Sequence, residues 1–345
     1  MNEFAMRPAR ERAAVFQETA ARLGLGRAAI VEKDFWACWT LRQLFGADGP
    51  SNVDVTPPVL LFKGGTSLSK VYRIIDRFSE DVDLTVDRRL LVEAGGDPDE
   101  SGIPRRERER RIEAIAGKCA HYINETVVPF LAVCAVAWSE ADVVIDTAAR
   151  QTINFRYPRS LTDSAYGGSS YVSAQIRLEF GARGEMWPAE RGTVTAYAAQ
   201  EFPNLFNAPD VGVWALSPKR TFWEKATILH AIACSDHVSG GARQSRHYSD
   251  LALIAKTAAG REAIVDVELL NSVATHKAAY FKSAKAHYEL AKPGTLRLIP
   301  SGPILSELSK DYRRMREMFV GEPTSFESMI GEIAELEAAI NANIR

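Results

Sequence analysis

Apolar residues along the first part of the chain recur at helical spacing. Ala13, Phe16, Ala20 and Leu23 form one stripe, and Val31, Phe35, Cys38, Trp39 and Phe45 form a second after a break at Leu23-Gly24-Leu25-Gly26. Residues 9–46 are therefore expected to be helical. Gly49-Pro50 and Pro57-Pro58 mark 49–58 as a loop, and Val59-Leu60-Leu61-Phe62 is an apolar run of buried-strand length. A glycine turn follows, with a helix expected over Thr66–Ile75. Phe78–Val86 alternates apolar and polar positions and is expected to be a strand. A Gly-, Pro- and charge-rich stretch over 95–111 leads into a helix at about 105–133. Strands are expected at Val133–Trp138, Thr152–Tyr157 and Tyr171–Phe180, the last behind a Tyr166-Gly167-Gly168-Ser169 turn.

From Ser217 the pattern is helical, over Thr221–Cys234, Tyr248–Ala258, Ile264–Tyr288, Ile304–Phe319 and Ser325–Ile344. The shift in composition near 205–217 divides the chain into residues 1–210 and 211–345. The fold class is α/β (α+β): a mixed sheet with flanking helices, followed by a helical domain.

Composition narrows the function. A chain of 345 residues with 46% hydrophobic content can bury two cores. No apolar run is long enough to span a bilayer, and Met1–Arg12 lacks an apolar leader, so cytosolic residence is expected. Cys38, Cys119, Cys134 and Cys234 are scattered without redox or metal spacing, and His230, His237 and His247 show no zinc pattern. The formal net charge of −2 gives no overall signature of a nucleic-acid binder. The charge run Arg105–Arg111 reads as a solvated helix face, with contact to polynucleotide phosphates as the alternative.

The chemistry concentrates in two short segments. Lys63, Gly64, Gly65, Thr66, Ser67 and Lys70 place glycine backbone, hydroxyls and ammonium groups between a strand and a helix, which suits a polyphosphate. The spacing is not that of a Walker A loop. Asp81 and Asp83 stand two apart in a strand whose neighbouring residues, Val82 and Leu84, are apolar. Both carboxylates share one face and are candidate ligands for Mg²⁺ or Mn²⁺, with Glu80 directed the other way. Glu179 lies on the polar face of a later strand together with Arg177. It is the third acid a metal site can draw on, and a Glu179–Arg177 pair is the alternative. Lys225 and Asp250 read alone as a surface lysine and a helix-flanking aspartate.

The run Phe62–Leu68 followed by Arg77–Leu84 resembles the AbiEii/AbiGii-type toxin nucleotidyltransferases of the polymerase-β-like superfamily. Val31–Trp36, Ser217–Lys225 and Arg246–Leu251 are similar to further family segments, so the resemblance covers about 30–255. It implies that Gly64, Gly65, Thr66 and Ser67 hold the nucleotide phosphates and that Asp81 and Asp83 bind metal. It also implies that Lys225 contacts the nucleotide and that Asp250 completes the active site. The implied reaction is transfer of a nucleoside monophosphate from an NTP to an acceptor hydroxyl, in some members a tRNA 3′ end. The implied partner is an antitoxin, and the implied setting is phage defence. Nucleotidylation of a protein or small molecule, and a nucleotide-binding module without catalysis, remain alternatives.

Overall fold

The computed structural model describes residues 1–79, 81–93, 96–100, 102–166, 173–235, 243–281, 283, 285–319 and 321–343. Glu80, the Gly167-Gly168-Ser169 turn, Tyr171, Val172, His237 and the expected helix end at Ile344 lie outside them. The chain separates into two compact units, one of residues 1–71 and 79–216, the other of residues 72–78 and 217–345.

The first unit opens with α1 (Asn2–Ala5), α2 (Ala9–Arg22) and α3 (Ala28–Phe45), and continues through β1 (Leu60–Lys63), α4 (Gly64–Lys70) and β2 (Asp81–Val86). Then come α5 (Arg105–Tyr122), a π-helical turn and α6 (Val128–Cys134), followed by β3 (Asp142–Ile145), β4 (Thr152–Arg156), β5 (Ile176–Gly181), β6 (Ala189–Thr195), α7 (Tyr197–Glu201) and β7 (Asp210–Leu216). The strands form one mixed sheet in the order β3-β4-β5-β2-β1-β7-β6. β1 runs parallel to β7 and β2 parallel to β5; the remaining pairs are antiparallel.

Alternation gives this sheet two different faces. Phe62, Val82, Leu84, Ile153, Phe155, Ile176, Leu178, Val213 and Ala215 are buried on one. There α3 brings Trp36 and Trp39, whose rings pack on Phe155, on Tyr157 and on Trp138. Burying each large apolar side chain favours the fold by about 1.5–3 kcal/mol before entropy is counted. The other face carries Lys63, Asp81, Asp83, Thr85, Asn154, Arg177 and Glu179.

Several elements differ from expectation. Val133–Trp138 is not a strand: α6 runs to Cys134, and Val133 and Val136 are exposed. The neighbouring strand is β3, whose apolar residues stay half-buried. The helix after the glycine turn starts at Gly64 and stops at Lys70. β5 starts only at Ile176. β6 and β7 escape the sequence pattern. β6 is a polar edge strand, and the division expected at 210/211 falls at the first residue of β7.

The second unit is helical: α8 (Pro218–Ala233), α9 (Ser245–Ala255), α10 (Ala258–Val265), α11 (Val267–Tyr280), α12 (Gly302–Arg314) and α13 (Phe326–Ala342). Pro218 opens α8, where its missing N–H costs nothing. Trp223 of α8 is buried and donates its indole N–H to the Ala263 carbonyl at 3.1 Å. The segment 72–78 joins this unit through Phe78, whose N–H reaches the Met318 carbonyl at 2.7 Å. Among the described residues, no helix is long and apolar enough to cross a membrane.

Candidate active site

Strand register assembles the polar face. Lys63 stands opposite Asp83, Asp83 beside Glu179, and Glu179 beside Thr152, which makes one row across four strands. One step along, Asp81, Arg177 and Asn154 form a second row. Neighbouring strands lie about 4.8 Å apart, so the carboxylates of Asp81, Asp83 and Glu179 share a small area of one surface.

Gly64 fits this arrangement for two reasons. Its φ of +77° lies in the left-handed region, and a Cβ there would stand 2.0 Å from Asp83 Oδ2. The absent side chain is the space the Asp83 carboxylate occupies. Gly64→Ala is expected to cost about 1–2 kcal/mol in stability from the backbone alone. The larger effect is on turnover, because the carboxylate must shift. Thermal melting beside a turnover assay checks this, and wild-type turnover in the variant would show that Asp83 does not need its present position.

The hydroxyls next to it serve the protein. Thr66 Oγ1 donates to the Asp81 carbonyl, and Ser67 Oγ donates to the Gly64 carbonyl at 3.1 Å. Thr66 therefore ties the start of α4 to the strand that carries the carboxylates. At the glycine turn itself, Lys63 as N-cap adds no side-chain bond to the first-turn N–H groups. Lys70, expected to act with the glycine turn on a polyphosphate, does not lie with it. It closes α4 with its ammonium 2.6 Å from Asp34 Oδ1 and 3.8 Å from the Tyr197 ring centre. Burial opposes the charge of Lys70, but Asp34 outweighs it and raises its pKa. The helix turns Lys70 toward α3, a direction the linear order of residues does not show.

Glu179 lies where register predicts, yet its Oε1 accepts from Arg177 Nε at 2.7 Å. Arg177 also donates to Asp146 at 3.0 Å. The pair of Glu179 and Arg177, held open as the alternative, is thus formed on the same face as Asp81 and Asp83. Among the described residues, no three His, Cys, Asp or Glu side chains converge as a metal-binding group. The donor set still suits a hard cation: two strand carboxylates with a glycine-made space against one of them.

Lys225 and Asp250 lie in the helical unit and bind each other. Asp250 is fully buried and accepts from Arg77 Nε at 2.7 Å, Arg77 Nη2 at 2.8 Å and Lys225 Nζ at 2.7 Å. Burial alone would raise the Asp250 pKa, but the two cations more than reverse this and hold it below the usual carboxylate range. Arg77 is the residue the sequence reading passed over. Its only local signal is its place four residues ahead of Asp81.

His247 stands in the same cluster. Burial, then the charges of Lys225 and Arg246, drive its pKa well below the ordinary 6.5. The folded imidazole stays neutral while the unfolded one takes a proton below about 6.5. Stability is therefore full above that pH and falls as pH drops below it. Asp250 adds a loss of the same sign below about 3.9. Melting temperatures at pH 7.5 and 5.5 should drop more for wild type than for His247→Gln, and equal drops would remove His247 as the cause.

Three of the five arginines at the start of α5 are met by acids on the same surface. Arg105 pairs with Glu109, Arg110 with Glu107, and Arg111 with both Glu107 and Glu100.

A family model described as nucleotidyl transferase AbiEii toxin, type IV TA system, matches residues 54–340. That span contains every residue of the polar rows and of the Arg77–Lys225–Asp250 cluster. Comparison with curated proteins finds no match.

Proposed function

The chain belongs to the AbiEii nucleotidyl transferase toxin family of type IV toxin–antitoxin systems, and from that premise we propose how its polar sheet face works on a nucleotide. The reaction is transfer of a nucleoside monophosphate to an acceptor hydroxyl. The acceptor oxygen bonds to the α-phosphorus, the bond from that phosphorus to the leaving pyrophosphate breaks, and the hydroxyl proton is released. The acceptor is an RNA 3′ end such as that of tRNA. The enzyme acts in the cytoplasm, is countered by a cognate antitoxin and takes part in phage defence.

The observation that carries the mechanism is the row Lys63–Asp83–Glu179, with Asp81 beside it and Gly64 leaving room for the Asp83 carboxylate. Asp81 and Asp83 would hold a divalent cation, Mg²⁺ or Mn²⁺, which would supply charge compensation for the triphosphate. Lys63 adds positive charge on the same row, and the glycine backbone at 64–65 approaches the phosphates closely. Glu179 offers a further oxygen once its bond to Arg177 gives way. Rigid placement on paired strands fixes the reacting groups in line.

A second reading concerns the acceptor. The net charge of −2 and the self-paired arginines of α5 favour a protein or small-molecule hydroxyl over a long polyanion. Purified protein incubated with each α-labelled NTP, and with total RNA or protein as acceptor, separates the readings. Label at RNA 3′ ends supports the first, and label in protein supports the second. Bound NTP with no labelled acceptor and no released pyrophosphate, in either Mg²⁺ or Mn²⁺, would leave only a binding module.

A further inference from the structure

The connection from β5 to β6 crosses the polar face. β5 ends at Gly181, level with Thr85 and hence with Leu61 of β1. β6 starts at Ala189, level with Leu216, one residue beyond the pairing of Ala215 with Phe62. In the strand order, β2, β1 and β7 lie between the two. Residues 182–188 must therefore pass over those strands, from the Leu61 level to the Lys63 level.

Gly184 marks the face taken. A Cβ there would stand 2.8 Å from Thr85 Oγ1 and 3.3 Å from Lys63 Nζ, both on the face of Asp81 and Asp83. Glu185 fastens the crossing to Arg88, just beyond β2, at 2.6 Å. The crossing then brings Trp187 toward the start of β6, at the level where Lys63 passes into Gly64, with β7 between β6 and β1. Every other residue from 182 to 188 is buried or half-buried, whereas Trp187 is 65% exposed. A large flat apolar ring held out beside a phosphate-binding edge suits a partner with a flat π-face.

We propose that Trp187 is the stacking platform for the base of the incoming nucleotide. Its ring would take the nucleobase while Lys63 and the Gly64 turn take the phosphates. Stacking tolerates any base, so the contact adds affinity for nucleotides as a class. This inference rests on the reading of the polar face as a nucleotide site, and the test keeps the two apart.

The test uses the full chain without acceptor and two probes in the presence of Mg²⁺: ATP, and inorganic tripolyphosphate, which has no base. Trp36, Trp39 and Trp223 are buried and Trp138 and Trp214 are half-buried, so the part of the quenching that Trp187→Phe removes is the part that reports on Trp187. ATP is expected to quench wild type and tripolyphosphate is not. In Trp187→Ala the ATP Kd, read by calorimetry, should rise about tenfold, since stacking on an aromatic ring is worth roughly one decade or more per base. Trp187→Phe should keep most of the affinity but lose the quenching. Tripolyphosphate affinity should be the same in all three.

ATP binding by Trp187→Ala at wild-type affinity overturns the platform and leaves the nucleotide site standing. Equal loss of ATP and tripolyphosphate binding overturns it too, in favour of a role in holding the crossing in place. Wild type that binds neither probe overturns the nucleotide site and the platform together.

Discussion

Asp83→Asn and Asp81→Asn are each expected to lower nucleotide transfer by at least roughly 10²–10³-fold, the scale on which loss of one preplaced electrostatic group costs an active site. Neither carboxylate is part of the packed core. Both stand on the polar face and alternate along β2 with apolar Val82 and Leu84, which are buried on the other. Each carboxylate faces Glu179 but also a cation, Lys63 opposite Asp83 and Arg177 beside Asp81, so melting without added metal should change little. Wild type should gain stability from Mg²⁺ with NTP and the variants should gain much less, because only a ligand bound to the native state shifts unfolding. The decisive comparison is turnover per folded molecule. Near wild-type turnover in either variant would sink the metal-pair assignment, whereas low turnover with a collapsed melting curve would point to a structural role.

What the sequence made legible is local in the chain. Asp81 and Asp83 could be placed on one face because strand period is two, and Glu179 with Arg177 could be placed on another strand's polar face for the same reason. The family resemblance joined these pieces, and the match over residues 54–340 supports the family and the mixed sheet with helices. What stayed hidden depends on distant contacts. Lys70 looks like a phosphate ligand until α4 turns its ammonium to Asp34. Thr66 looks like a loop donor until its hydroxyl meets the Asp81 carbonyl. β6 reads as loop because an edge strand with polar residues on its open side lacks a clean alternation. Asp250 reads as a helix-flanking acid because Arg77 is 173 residues away. Trp187 carried no pattern at all; its place follows only from the registers of β5 and β6.

Asp250→Ala is expected to destabilise the helical unit by about 3–5 kcal/mol, the usual cost of removing one partner from a buried ion cluster. The carboxylate is fully buried and takes three hydrogen bonds, two from Arg77 and one from Lys225. Without it, two cations share a buried site with the charge between them gone. Domains are commonly stable by only about 5–15 kcal/mol, so the variant should melt far below wild type and approach unfolding near 37 °C. Asp250→Asn keeps the shape but not the charge and should recover little. Replacing the whole cluster by apolar groups, Arg77→Met with Lys225→Met and Asp250→Leu, should regain most of the stability, because no charge then remains to be desolvated. That triple variant also decides what the cluster is for. If it holds residues 72–78 in the helical unit and nothing more, a stable triple variant keeps measurable transfer. If Lys225 touches the nucleotide, the same stable protein is inactive while its melting curve is normal. A wild-type melting temperature for Asp250→Ala would dismiss the cluster as a stabilising element, whichever way its activity fell.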